Sequence, residues 1–146
     1  NADGLRVDAV GQAASKVSAV PGVRAALLDF QKDFAARPPS GFAGAVLDGR
    51  DIGTVVCPDA TAKLFITAST EVRAERRYKE LHQKDSAVIY ARVLEDMKER
   101  DNRDQSRSVA PLEPAQDAKL LDTSTLSADQ VFDQALVFIA AKTQKA

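Results

Sequence analysis

The sequence predicts an α/β protein organised on a parallel sheet with flanking helices, and three observations lead there. Short apolar runs alternate with longer stretches of helical periodicity, the pattern of strands joined through helices. The run Ala45-Val46-Leu47 is cut off by Asp48-Gly49, as a buried parallel strand is when it ends in a tight turn. The run Lys63-Leu64-Phe65-Ile66-Thr67 leads through Ala68-Ser69-Thr70 into an acidic first turn, so strand, cap and helix follow in order.

In chain order, Val7 to Ala19 carries Val10, Ala13, Ala14 and Val17 at helical spacing, and Pro21-Gly22 breaks it. A second helix, from about Val23 to Ala36, places Val23, Leu27, Phe30 and Phe34 on one face. Arg37-Pro38-Pro39-Ser40-Gly41 is a loop, and the Ala45–Leu47 strand follows. Val55-Val56-Cys57 is a further apolar, strand-like run, closed by Pro58-Asp59. After the Lys63–Thr67 strand come helices from about Glu71 to Gln83 and from about Ala87 to Arg103. The apolar face of the second is Val88, Ala91, Leu94 and Met97. Ser108 to Pro114 is an extended connector, and Lys119–Asp122 is a third strand. Ser127 caps a last helix, from about Ala128 to Lys142, expected to bury Val131, Phe132, Leu136 and Ile139.

A chain of 146 residues is long enough for one domain with a real core. Hydrophobic residues make up 45% and charged residues 28%, and the net charge of −1 provides no bulk field for nucleic acid or anionic lipid. With no tryptophan and two tyrosines, the aromatic–basic interleaving that stacks nucleic-acid bases is missing. The single cysteine, Cys57, excludes an internal disulfide, and one histidine leaves no zinc cluster of recognised type. No run approaches the ~18 apolar residues of a membrane span. A cytoplasmic enzyme or binding domain is the expectation, with no nucleic-acid or membrane partner.

Charged clusters mark the candidate chemistry. After the Ala45–Leu47 strand come Arg50 and Asp51, framed by Gly49 and Gly53, at the strand end where open α/β sheets bind ligands. Arg50 can fork onto phosphate or carboxylate oxygens, and Asp51 can accept from amino groups or hydroxyls. A charged surface turn fits the same residues. Arg73, Arg76 and Arg77 lie at i, i+3 and i+4, a face suited either to a multiply charged anion or to solvent. Arg100, Asp104 and Arg107 fall at i, i+4 and i+7, one stripe that could hold a sugar hydroxyl and an anion. Alternatively, Asp96–Arg100, Glu99–Arg103 and Arg100–Asp104 pairs lace that helix, at about 0.2–0.5 kcal/mol each. Ser15 and Arg24, on either side of Pro21-Gly22, fit capping or ordinary surface roles on their own.

Together these segments resemble bacterial cytidylate kinases, which move the γ-phosphate of ATP onto CMP or dCMP. The resemblance runs almost end to end. It rests on Asp48-Gly49-Arg50-Asp51-Ile52-Gly53-Thr54-Val55-Val56 with Pro58-Asp59-Ala60, and on Glu99-Arg100-Asp101 through Arg107 to Ala110-Pro111-Leu112. Gln12 to Pro21 with Val23-Arg24-Ala25-Ala26-Leu27-Leu28 adds a third segment. It implies that Ser15, Arg24 and Asp51 read the cytosine ring, that Arg50 and Arg107 clamp the CMP phosphate, and that Arg100 and Asp104 take the ribose end. It implies that Arg73, Arg76 and Arg77 belong to a mobile lid over the ATP phosphates, and that Asp48 lies near Mg²⁺. It divides the chain into a helical nucleoside-monophosphate-binding region over residues 1–42 and kinase core over 43–146, with a short lid around 70–86.

The resemblance also implies a P-loop nucleoside monophosphate kinase-like fold, whose first strand leads into Gly-x-x-x-x-Gly-Lys-Ser/Thr. None of the seven glycines here is followed by lysine, so that cradle is absent from the sequence. In the family the P-loop strand is central, between the strand ending at Asp48 and the strand Lys63–Thr67. The expectation is therefore a C-terminal fragment with an incomplete sheet, inactive alone, whose partners are the missing N-terminal segment or other copies meeting at exposed sheet edges. A non-catalytic α/β module that binds anions or another chain is the competing class.

Overall fold

The computed structural model describes residues 8–18, 20–106 and 111–144. Helices α1 (Asp8–Val17) and α2 (Pro21–Ala36) come first, then a single π-helical turn at Ile52–Val56. Strand β1 (Leu64–Thr67), helices α3 (Thr70–His82) and α4 (Tyr90–Gln105), strand β2 (Lys119–Asp122) and helix α5 (Ala128–Thr143) complete the order. β1 and β2 pair in parallel, Leu64 opposite Lys119 and Thr67 opposite Asp122, with α3 and α4 forming the crossover between them.

Local sequence accounts for the helix ends. Pro21 opens α2, where a missing N–H costs nothing. Ser69 Oγ accepts from Val72 N and caps α3. Ser127 and Gln130 form a reciprocal capping box at the start of α5. Lys63, just ahead of β1, donates to both carboxylate oxygens of Asp117, at 2.8 and 2.9 Å, and to the carbonyl of Pro58. This ties the entries of the two strands together.

Three expectations are corrected. Ala45–Leu47 is not a strand: it has irregular backbone, and Val46 is 97% exposed. A strand exists only where a neighbour completes its hydrogen bonds, and among the described residues β1 and β2 pair only with each other. The strand-like run at Val55-Val56-Cys57 is instead part of the π-helical turn, closed by Cys57 N donating to Ile52 O at 2.7 Å, with Val56 buried. Finally, α5 buries none of its residues, and Phe132 is 62% exposed, because a two-stranded sheet offers too little face to cover it. On α4 the buried positions are Val93 and Asp104, eleven residues apart and so on one face; Ala91 is exposed.

Two carboxylates near the sheet set a pH dependence. Asp117 titrates below the usual aspartate range because it accepts from Lys63, and Asp122 does so because it accepts from the Ser124 hydroxyl and backbone N–H. A carboxylate whose folded pKa is depressed stabilises the fold above the unfolded value, about 3.9, and loses that contribution as pH falls through the lower folded value. Thermal melts from about pH 6 downward are therefore expected to fall below about pH 4, and Asp122→Asn should flatten the profile. An identical profile in Asp122→Asn would show that Asp122 carries none of the dependence.

Candidate active site

A cleft of about 430 Å³ lies between α1, α2, the π-helical turn and α4. Its position follows from three local features. The break at Pro21-Gly22 separates α1 from α2, with Ser15 on one helix and Arg24 on the next, and both line the cleft. The turn at Gly49 is tight: a Cβ there would lie 2.9 Å from Ile52 Cγ1, so a side chain would crowd Ile52 just where Arg50 and Asp51 are presented. On α4, the face that starts with buried Val93 continues to Arg100 and ends at Asp104, which is almost fully buried.

Of the substrate-binding residues expected from the sequence, Ser15, Arg24, Arg50, Asp51, Arg100 and Asp104 all line this cleft. Arg107 lies outside the described residues. Arg24 pairs with Asp51 and donates to the carbonyl of Ser18 at 3.3 Å. Arg50 Nε donates to Asp104 Oδ2 at 2.9 Å, joining the π-turn segment to α4. Arg100 Nε is buried with no hydrogen-bond partner among the described residues. Burial lowers the Arg100 pKa from its ordinary value, and the neighbouring Arg50 charge adds to the effect against the pull of Asp104. A guanidinium in this condition is short of negative charge, so an anion beside Arg50 and Arg100 would relieve it. Val23, Leu27, Leu28 and Val55 add an apolar lining to the cleft. An apolar cavity of this size with a few convergent polar groups is the usual form of a small-molecule site.

The three arginines of α3 go elsewhere. Arg73 donates to Asp101 Oδ1 at 2.9 Å and Oδ2 at 2.7 Å, and to the carbonyl of Ala68. The hydrogen bond to Asp101 raises its pKa. Arg76 grips Thr123, at 3.0 Å to Oγ1 and 2.6 Å to the carbonyl, where the chain leaves β2. Arg77 donates to Glu80 Oε2 at 2.9 Å. Arg73 fastens α3 to α4 and Arg76 fastens it to the end of β2, while the Arg77–Glu80 bond stays within α3; none of the three lines the cleft. Asp48 is exposed and does not line it either. Among the described residues no group of three or more His, Cys, Asp or Glu gathers to hold a metal, and no helix is long and apolar enough to cross a membrane.

One contact has no sequence signal. Arg103, which helical spacing would pair with Glu99, instead donates from Nη1 to Ser15 Oγ at 3.0 Å, across 88 positions of sequence. Only the tertiary fold brings the two together.

Fold and site define an α/β protein with a guanidinium-rich cleft between its helices. The cytidylate kinase family model matches residues 1–141, and the chain belongs to that family. The cytidylate kinase of Paramagnetospirillum magneticum is 67% identical over 138 residues, covering 94% of this chain and 65% of that protein. The cytidylate kinase of Rhodospirillum rubrum is 57% identical over 141 residues, covering 97% and 66%. That of Azorhizobium caulinodans is 58% identical over 137 residues, covering 94% and 65%. The chain thus spans about two thirds of the length of the curated relatives it matches.

Proposed function

We propose that this chain supplies the CMP-binding and lid residues of a cytidylate kinase, which transfers the γ-phosphate of ATP to CMP or dCMP. The observation that carries this reading is the convergence of Ser15, Arg24, Arg50, Asp51, Arg100 and Asp104 on one cleft from three separate stretches of sequence. In it, Asp51 and Ser15 take the amino group and ring nitrogen of cytosine, with Arg24 holding Asp51 in place. Arg50 and Arg107 hold the phosphate, while Arg100 and Asp104 take the ribose end. The apolar lining covers the flat base. Phosphoryl transfer asks the protein for positioning and positive charge rather than covalent chemistry, which suits an arginine-lined cleft.

Arg73, Arg76 and Arg77 form the lid over the ATP phosphates in this reading. Closure exchanges their contacts with Asp101, Thr123 and Glu80 for phosphate oxygens. Mg²⁺ that travels with ATP keeps several waters and needs only one or two carboxylates beside the phosphates. Asp48 is the carboxylate this chain offers it, and the ion would neutralise charge on the phosphoryl oxygens.

The sequence holds no Gly-x-x-x-x-Gly-Lys cradle, so the chain alone is expected to show no ATP-dependent phosphorylation of CMP. Calorimetric titration is expected to show CMP bound about tenfold or more tighter than AMP, a difference of about 1.4 kcal/mol. Turnover in a coupled assay near the usual ~1–100 s⁻¹ would overturn the inactivity. Equal affinity for CMP, AMP and inorganic polyphosphate would replace the kinase reading with a non-catalytic anion-binding module.

A further inference from the structure

We propose that Arg103 is a positioning residue that fixes the Ser15 hydroxyl as a hydrogen-bond donor toward the cleft, and that this polarity selects cytosine over uracil. The proposal rests on the reading of the cleft as a cytidine-nucleotide site. Ser15 is buried, at 6% exposure, and lines the cleft from α1. Its Oγ accepts from Arg103 Nη1 at 3.0 Å, and this is its one side-chain hydrogen bond among the described residues. Arg103 itself stands behind Ser15, on α4, and does not line the cleft.

A serine hydroxyl is ambivalent. It carries one proton and two lone pairs, and the proton rotates to suit whatever it meets. A guanidinium is not ambivalent, because it has donors and no acceptor. Arg103 therefore occupies an Oγ lone pair and cannot receive the proton. Its positive charge also turns the O–H dipole outward. The proton does not return to the preceding turn of α1, since among the described residues no hydrogen bond runs from Ser15 Oγ to a backbone carbonyl. The hydroxyl is left with a proton to give and a cleft to give it to.

Asp51 supplies the opposite polarity, because an ionised carboxylate only accepts. The cleft thus offers a donor from Ser15 and an acceptor from Asp51. A cytosine edge answers this pattern with an exocyclic N–H₂ donor beside a ring-nitrogen acceptor. Uracil carries the reverse pattern, a carbonyl acceptor beside a ring N–H. Against uracil, an unconstrained serine could turn and accept from that N–H. Under Arg103 it resists turning, so the ring N–H meets an O–H, and a buried donor without an acceptor is what rejects a near-isosteric ligand.

The test is the ratio of CMP to UMP affinity, measured by calorimetry on the chain and its variants. The wild-type chain is expected to prefer CMP. Arg103→Met should lower the CMP:UMP ratio by about tenfold, the scale of one hydrogen bond. Arg103→Lys, whose ammonium is also a pure donor, should keep most of the ratio. In Ser15→Ala, adding Arg103→Met should change the ratio no further. A merely structural role for Arg103 would weaken CMP and UMP together and leave the ratio alone; that result overturns the proposal. So does a fall in the ratio of the same size with Ser15 absent. If Arg103→Met fails to fold, Arg103→Gln replaces it. Gln brings an acceptor as well as donors, and a wild-type ratio in that variant overturns the proposal too. A wild-type chain that binds CMP, UMP and AMP alike strikes instead at the cytidine reading of the cleft.

Discussion

Replacing Asp104 with alanine is expected to destabilise the chain by about 2–3 kcal/mol in urea unfolding, the largest effect of any single substitution in the cleft. Asp104 is 2% exposed and accepts from Arg50 Nε, with Arg100 beside it on the same helix. Its removal leaves Arg50 without its carboxylate partner and Arg100 beside a like charge with no neighbouring Asp104 to offset it. Breaking a buried pair by deleting one partner costs about 3–5 kcal/mol, because the remaining charge is left uncompensated. The cost here falls at or just below the lower end of that range, since the Arg50 side chain is 42% exposed and keeps part of its water. Asp104→Asn preserves shape and one acceptor, so it should fall between wild type and Asp104→Ala. A loss below about 0.5 kcal/mol, the range of a featureless surface change, would show that Asp104 does not hold the arginines together.

Self-association is the second large effect expected. At micromolar concentration the chain should sediment as dimers or larger species rather than as a compact monomer. A two-stranded sheet presents an open edge on each strand, and such edges pair readily with other chains. Ile66 on β1 and Leu120 on β2 are both more than half exposed, as are Phe30 on α2 and Phe132 and Val137 on α5. Among the described residues no large side chain is completely buried. Apolar surface on this scale is what association removes from water. Ile66→Lys places a charge on the strand edge and should shift the distribution toward monomer. A compact monomer with strongly protected amides through Leu64–Thr67 would overturn this expectation. So would an Ile66→Lys variant that sediments like wild type.

Those outcomes bear on why some of the protein is legible in its sequence and some is not. Helix ends are legible because the groups that satisfy them are close in sequence: Ser69 reaches Val72, and Ser127 and Gln130 reach each other. The break at Pro21-Gly22 and the strands around Leu64–Thr67 and Lys119–Asp122 are legible for the same kind of reason, the backbone limits of proline and an apolar run of strand length. Ala45–Leu47 shows the limit. Three apolar residues ahead of Asp48-Gly49 read as a strand, but strand hydrogen bonds belong to a pair of segments, and that pairing is settled by what lies alongside. The burial of α5 fails to follow its pattern for a related reason, since a helix buries only the face that a sheet is wide enough to cover.

The cleft divides in the same way. The sequence by itself determines which residues carry charge and which segments resemble the family, so Ser15, Arg24, Arg50, Asp51, Arg100 and Asp104 can be named without coordinates. Tertiary structure alone decides that they share one cavity, that Arg50 engages Asp104, and that Arg73 and Arg76 grip Asp101 and Thr123. It alone brings Arg103 to Ser15. A guanidinium at the end of a long, flexible side chain reaches partners on other elements as easily as those one turn away, and burial chooses among them. Spacing along a helix lists the partners an arginine could have; the tertiary arrangement determines the one it takes.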